Sequence, residues 1–175
     1  MSLAFRSSIL ILTQTKKYNV SCRATIETLI MCAQQPMVVY ADMCADLMHV
    51  GHVNMLKTAK QFATRMNMPL LVGVHSSESI ESYKRKPILS LQERAAMLHA
   101  CRYVDTVLEN APLVITQEFM TEHNIQLVVH AHKEDDTAYD TMYAVPIQLG
   151  RFQRLNYTDS ISTTEIIQRC KNSQE

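Results

Sequence analysis

Four short apolar runs, separated by stretches of a different periodicity, limit how this chain can fold. Met37 to Tyr40, Pro69 to His75, Val104 to Leu108 and Ile125 to Ala131 have the length and β-branched content of buried strands. After the first run, Val53, Leu56, Ala59 and Phe62 recur at helical spacing. Ser76 to Tyr83 is polar and reads as a short helix or turn. Ser90-Leu91-Gln92-Glu93 has the S-x-x-E form of a capping box and opens a helix to about Arg102. Thr116 to His123 is a further helix, Lys133 to Asp140 is charged and loop-like, and Thr141 to Leu149 is a helix ended by Gly150. Phe152 to Leu155 reads as a short edge strand, and a second capping box at Ser162 to Glu165 opens the last helix, to about Cys170. Such alternation predicts right-handed βαβ units and an α/β, doubly wound parallel sheet covered on both faces.

Ligands of such sheets bind outside the carboxyl ends of the strands. His49 and His52, the segment after His75, His130 and its followers, and Ser162 to Thr164 all follow predicted strands. They are therefore expected on one edge of the sheet. The densest chemistry lies in Pro36 to His52, PMVVYADMCADLMHVGH, where a strand hands over to a helix through an acidic turn. Two imidazoles three residues apart at a helix N-terminus share one face. The unpaired N–H groups there favour an anion, above all a phosphate. Gly51, between them, permits close approach of backbone or ligand. The competing reading is two structural or solvent-exposed histidines.

Only three glycines occur in 175 residues, against about 7% on average. That excludes a Walker A or G-x-G-x-x-G loop, so any phosphate is held by helix N-termini and side chains. Seventeen basic and seventeen acidic residues cancel, which argues against a nucleic-acid binder. No apolar run is long enough for a transmembrane segment. Five scattered cysteines without a C-x-x-C predict free thiols in a reducing compartment, hence a cytoplasmic chain, and no metal site. Residues 1–35 read as an N-terminal extension. Its first acidic residue is Glu27, preceded by Arg6, Lys16, Lys17 and Arg23. That composition resembles a transit peptide, and a poorly structured extension or the remnant of a preceding domain fits it equally. Within it, 8–13 has strand character and 25–33 helix character.

The order D-x-x-x-D-x-x-H-x-G-H, carried by Asp42, Asp46, His49, Gly51 and His52, resembles the HxGH signature of the cytidylyltransferases. The run ERAAMLHACRYVDTVLENAP and the stretch Thr158 to Thr164 are similar to further family motifs, so the resemblance extends from about Met37 to Arg169. It implies a Rossmann-like sheet in a single nucleotidyltransferase domain over 36–175. The implied reaction is transfer of CMP from CTP, with Mg²⁺, to a small phosphorylated alcohol. Implied catalytic residues are His49, His52 and Lys84, the histidines stabilising the reacting phosphorus and the lysine bridging the phosphates of both substrates. Implied nucleotide contacts come from Ala41, Asp42, Met43 and Cys44, from Arg94 and His130, and from Thr158, Ser162, Thr163 and Thr164. Asp46, Tyr139 and Tyr143 are the implied acceptor contacts. Relatives are often dimers, so a homodimer is implied as possible.

The chain departs from the family pattern at several positions. Arg85 follows the lysine in place of a glycine, Met43 replaces a glycine, Ala45 an aromatic, Tyr157 an arginine and Ser160 a glycine. A missing arginine removes a charge-assisted phosphate contact of roughly 1.5–3 kcal/mol; Arg154 nearby is a candidate stand-in. Leu113 stands where the choline enzymes have an aromatic, and the chain has no Trp. A quaternary ammonium is recognised by aromatic faces, so this argues against choline. Tyr143, Pro146, Gly150 and Phe152 resemble the second, degenerate half of ethanolamine-phosphate cytidylyltransferase, an enzyme of two such domains in tandem, and Val72 to His75 is similar to the ethanolamine branch. Phosphoethanolamine is thus the expected acceptor. The competing expectations are a catalytically degenerate, nucleotide-binding or regulatory domain, a choline-phosphate or glycerol-3-phosphate cytidylyltransferase, and an adenylyltransferase.

Overall fold

Parallel pairing of apolar strands needs a crossover after each strand, and the chain supplies one after each of its first four. The computed structural model describes residues 36–133 and 138–173. The expectations for 1–35 lie outside them. Strands β1 (Val38–Met43), β2 (Leu70–His75), β3 (Thr106–Ala111), β4 (Ile125–Ala131) and β5 (Phe152–Leu155) form one sheet in the order β3-β2-β1-β4-β5. Every neighbouring pair is parallel. Helices α1 (Val50–Arg65), α2 (Ser77–Glu81), α3 (Leu91–His99), α4 (Gln117–Glu122), α5 (Ala138–Met142), α6 (Ala144–Gln148) and α7 (Thr163–Asn172) connect and follow them. The result is the single α/β domain with a doubly wound, Rossmann-like sheet that the alternation predicts.

Period two divides β1 between two cores. Val39, Ala41 and Met43 pack with Leu56 and Ala59 of α1 and Leu98 of α3. Tyr40, on the other face, packs with Leu71, Val128, Ile115, Met120 and Tyr143. The strand order reverses at β1, so a crevice opens beyond the carboxyl ends of β1 and β4.

The boundaries differ from expectation where a side chain or a proline intervenes. β1 runs on to Met43 because Asp42 is buried with hydrogen-bond partners from His130 and Tyr143. β3 starts at Thr106: the carboxylate of Asp105 accepts from the Leu70 amide at 2.6 Å and from Lys60, so pairing begins one residue later. The helix expected over 141–149 is two short helices, and the first reaches back to Ala138. Pro146 has no N–H to give the Met142 carbonyl; the Ile115 amide donates to it instead at 2.9 Å. Gly150 ends α6 at φ +64°, the left-handed conformation that favours glycine.

Gly73 of β2 is compelled by Tyr40. A Cβ at this position would lie 2.2 Å from the Tyr40 hydroxyl and 2.7 Å from the Ala111 Cβ. The hydroxyl itself is buried without a hydrogen-bond partner among the described residues. Gly73→Ala should therefore cost about 2–3 kcal/mol in urea denaturation. Tyr40→Phe should be neutral or stabilising by about 1 kcal/mol, since it removes an unsatisfied buried group. A Gly73→Ala protein as stable as wild type would show that this corner of the sheet is looser than described.

Candidate active site

The first sixteen-residue helix begins with a cap made of two imidazoles. His49 is the N-cap of α1, and its Nδ1 accepts from the Gly51 amide at 3.1 Å. His52 Nδ1 accepts in turn from the His49 amide at 3.2 Å, completing a capping box normally built from a hydroxyl and a carboxylate. A ring nitrogen that accepts an N–H carries no proton, so each neutral ring bears its proton on Nε2. The ring centroids lie 4.0 Å apart. Gly51 is the residue that allows this: a Cβ there would stand 2.9 Å from Cε1 of His49. Burial lowers the pKa of both rings; for His52, burial and the neighbouring charges of His49 and Lys84 bring it to about 4. At neutral pH the pair donates hydrogen bonds without carrying charge.

The wall facing this cap is held by Asp46. Its carboxylate accepts from the amides of Ile88 and Leu89 at 3.0–3.1 Å and from Arg85 at 2.9 Å. Burial alone would raise its pKa, but these donors outweigh it and hold the carboxyl below its usual range. The Asp46 carbonyl accepts from the Thr163 hydroxyl at 2.9 Å, which draws in the N-terminus of α7, capped by Ser162. Ala45 and Leu47, on either side, have φ of 56° and 46°, uncommon for residues other than glycine. A cavity of about 470 Å³ lies between the histidine cap, the 83–87 segment and α7. Lys84 lines it, with its ammonium 3.5 Å from the Tyr139 hydroxyl and 5.1 Å from the Tyr83 ring centroid. Thr158, Ser162, Thr163 and Thr164 line it from the opposite side.

Asp42 sits deepest. It is fully buried, and its Oδ1 accepts from His130 Nδ1 at 3.0 Å and from the Tyr143 hydroxyl at 2.5 Å. Burial raises the pKa of this carboxyl, yet the hydrogen bond and charge of His130, with His75 and Tyr143, outweigh it and keep the group ionised. Tyr139 stacks on His132 with centroids 4.6 Å apart, and Tyr143 stacks on Phe152 at 5.0 Å, forming an aromatic wall above Asp42.

Most residues expected at the site thus meet in one cavity: His49, His52, Lys84, Asp42, Met43, Cys44, Asp46, His130, Tyr139, Tyr143 and the α7 cap. Two of the expected nucleotide contacts, Ala41 and Arg94, do not line the cavity. Ala41 has its methyl in the core on the opposite face of β1. Arg94 is fully buried and does not line the cavity; its guanidinium donates to the carbonyls of Cys44 and His75 at 2.8 Å, to that of Leu89 and to the Ser77 hydroxyl. It ties the ends of β1 and β2 together. Arg154 is exposed on β5, in register with His130, and Leu113 is half-buried; neither lines the cavity. Sequence reasoning did not place His75, Tyr83 or Arg85 at the site. For His75 the period-two pattern was a usable signal, since it falls on the Asp42 face of the sheet. For Arg85 there was none, because its partner Asp46 is distant in sequence.

Two outcomes follow from this electrostatics. The His52 pKa is about 4 in the folded chain and about 6.5 unfolded, so the unfolded state takes up the proton first as pH falls. Stability should be lost between pH 6.5 and 4, by up to about 3 kcal/mol, and His52→Asn should flatten that slope in denaturant titrations. An unchanged slope would contradict the buried neutral ring. Arg94→Lys should cost about 3 kcal/mol, because one ammonium cannot serve carbonyls on two strands and a loop. A loss under 1 kcal/mol would assign the fold's closure elsewhere.

The family model described as cytidylyltransferase-like matches residues 40–169. The chain is 35% identical over 144 residues to an ethanolamine-phosphate cytidylyltransferase of Arabidopsis thaliana, covering 79% of this chain and 33% of that protein. It is 37% identical over 140 residues to a probable choline-phosphate cytidylyltransferase of Schizosaccharomyces pombe, covering 77% and 37%. The chain thus spans about a third of the length of these curated relatives. A lipopolysaccharide core biosynthesis protein from Thermoplasma volcanium superposes with a TM-score of 0.56 at 19% identity, over 71% of this chain and all of that one, which supports the fold. With the family match reaching from β1 into α7 and the double-histidine cap in place, the chain belongs to the cytidylyltransferase-like family.

Proposed function

We propose that this domain transfers CMP from CTP to a phosphorylated amino alcohol, phosphoethanolamine, releasing pyrophosphate. The observation that carries this reading is the convergence of two helix N-termini, two Nε2–H donors and a lysine on one cavity. A phosphate oxygen of the acceptor attacks the α-phosphorus of CTP, and the bond from that phosphorus to the bridging oxygen breaks. Little covalent help is needed; the protein aligns two anions and stabilises charge. On this reading His49 and His52 donate to phosphate oxygens, Lys84 offsets the negative charge of both substrates, and the α7 cap receives the triphosphate.

Mg²⁺ fits as a passenger of the triphosphate. Both Asp46 oxygens are engaged by 85–89 and Asp42 has only Oδ2 open, too few oxygens for an octahedral protein cage. When bound, the ion would neutralise phosphate charge.

The choice of ethanolamine rests on the small polar headgroup that Asp42 and the tyrosine wall suit, and on the absence of Trp from the chain. A second reading, a nucleotide-binding domain without turnover, is favoured by Met43 and Tyr157. Both line the cavity where the family has a glycine and an arginine. Pyrophosphate release from CTP and Mg²⁺ should occur with phosphoethanolamine and fall about 10²–10³-fold in His52→Ala and Lys84→Met. Release with phosphocholine alone would overturn the acceptor; CTP binding without release would establish the second reading.

A further inference from the structure

Lys84, which brings an ammonium to the cavity, stands on a segment held from both sides. Its own amide donates to the Ile80 carbonyl of α2 at 2.9 Å. Beyond it Pro87 is buried, and the amides of Ile88 and Leu89 donate to the Asp46 carboxylate. Between these anchors, residues 85 and 86 make no backbone–backbone hydrogen bond among the described residues. The Arg85 side chain bridges the gap. One terminal nitrogen of its guanidinium donates to Asp46 Oδ2 at 2.9 Å and the other to the Lys86 carbonyl at 2.8 Å. The Asp46 side chain is 6% exposed and that of Arg85 40%, so solvent screens the pair only in part. A second ion pair of the segment, Lys86 with Glu81 at 4.0 Å, is largely exposed and holds little. Lys84 itself meets the Tyr139 hydroxyl at 3.5 Å.

We propose that Arg85 is a positioning residue for Lys84: its pairing with Asp46 and with the Lys86 carbonyl fixes the backbone that carries the lysine before the substrates arrive. The inference rests on the reading that Lys84 offsets the phosphate charge of CTP and acceptor. A lysine is a point charge on a flexible four-carbon stem, so the place of its ammonium depends on where its backbone is held. Ordering a loose backbone at the moment of reaction would add to the barrier; a backbone already held does not. A guanidinium suits the task, since its planar fork serves a carboxylate and a carbonyl together. The charge of Arg85 is matched by that of Asp46, so the phosphates are left to Lys84. The glycine that the family pattern has at this position has no side chain to make the pair. Arg85 also lines the cavity, so a direct phosphate contact is the alternative to be separated.

A double-mutant cycle separates positioning from direct contact. Wild type, Arg85→Ala, Lys84→Met and the double variant are compared as full chains with Mg²⁺, in calorimetric CTP binding and in initial rates with phosphoethanolamine. Arg85→Ala should lower CTP affinity about threefold and kcat about tenfold, the larger loss falling on kcat because alignment counts most in the transition state. In the Lys84→Met background the same substitution should change neither by more than about twofold. Arg85→Lys, which keeps a charge for Asp46 but not the fork, should recover part of the loss. Arg85→Gln replaces the alanine variant if that chain does not fold. Equal losses with and without Lys84 overturn the positioning role and leave the reaction intact, since Arg85 then acts on the phosphates or the fold by itself. A folded Arg85→Ala with wild-type affinity and kcat overturns it too. CTP binding without turnover in wild type overturns the catalytic reading alone, and coupling in the affinity cycle then upholds the role of Arg85. A wild type that binds no CTP overturns both.

Discussion

The guanidinium of Arg94 is the joint on which the site depends. It is fully buried and reaches the carbonyls of Cys44, His75 and Leu89 and the hydroxyl of Ser77. These belong to the ends of two adjacent strands and to the two segments that follow β2. A buried carbonyl without a donor would be costly. Only a planar group with five N–H donors in a fixed fork can serve several such carbonyls at once. The Asp42 and His75 side chains on the cavity floor inherit their positions from this arrangement, because both strand ends are tied to one rigid group.

A second joint, Asp46, closes the walls. Its carboxylate holds the segment carrying Arg85, Ile88 and Leu89, and its carbonyl holds Thr163. A chain with three glycines cannot wrap a phosphate in a flexible backbone loop. Here the cradle is made instead by side chains that bind backbone: imidazoles on amides of α1, a carboxylate on amides of the 88–89 segment, and a serine hydroxyl on the Glu165 amide of α7. Such a cradle is set before the ligand arrives, and its donors need little reorganisation. Gly51 survives where no Cβ fits under the His49 ring.

The departures from the family pattern separate by location. Arg85, in place of a glycine, becomes the ionic partner of Asp46 and so reinforces the wall. Ala45 adopts a left-handed conformation without being glycine, its methyl buried in the core. Met43 and Tyr157 are different, since both line the cavity, although the Met43 side chain packs in the core beside Ala41. The Lys133 ammonium lies 5.6 Å from the Tyr157 ring centroid, so positive charge does stand beside the tyrosine that replaces the family arginine.

What the amino-acid order alone determined is local or periodic. The strand at 125–131 was legible to the residue, because a β-branched run bounded by turn residues has few alternatives, and the edge strand at 152–155 was legible as the short stretch with apolar ends after Gly150. The capping box at Ser90 to Glu93 was legible from four consecutive residues; at Ser162 only the serine half forms, because the Glu165 carboxylate pairs with Arg169, and the spacing of His49 and His52 placed them at a helix N-terminus. The sheet-edge rule then brought most of the chemistry to one cavity without any contact being known. Tertiary structure decided what depends on partners far apart in the chain. Arg94 looks the same in sequence whether it faces a nucleotide or carbonyls five, nineteen and fifty residues away. Ala41 and Asp42 are neighbours that a pleat sends to opposite faces. The split of the 141–149 helix needed the Ile115 amide. A hydrogen-bond partner is a matter of distance in space, and only the folded sheet sets that distance.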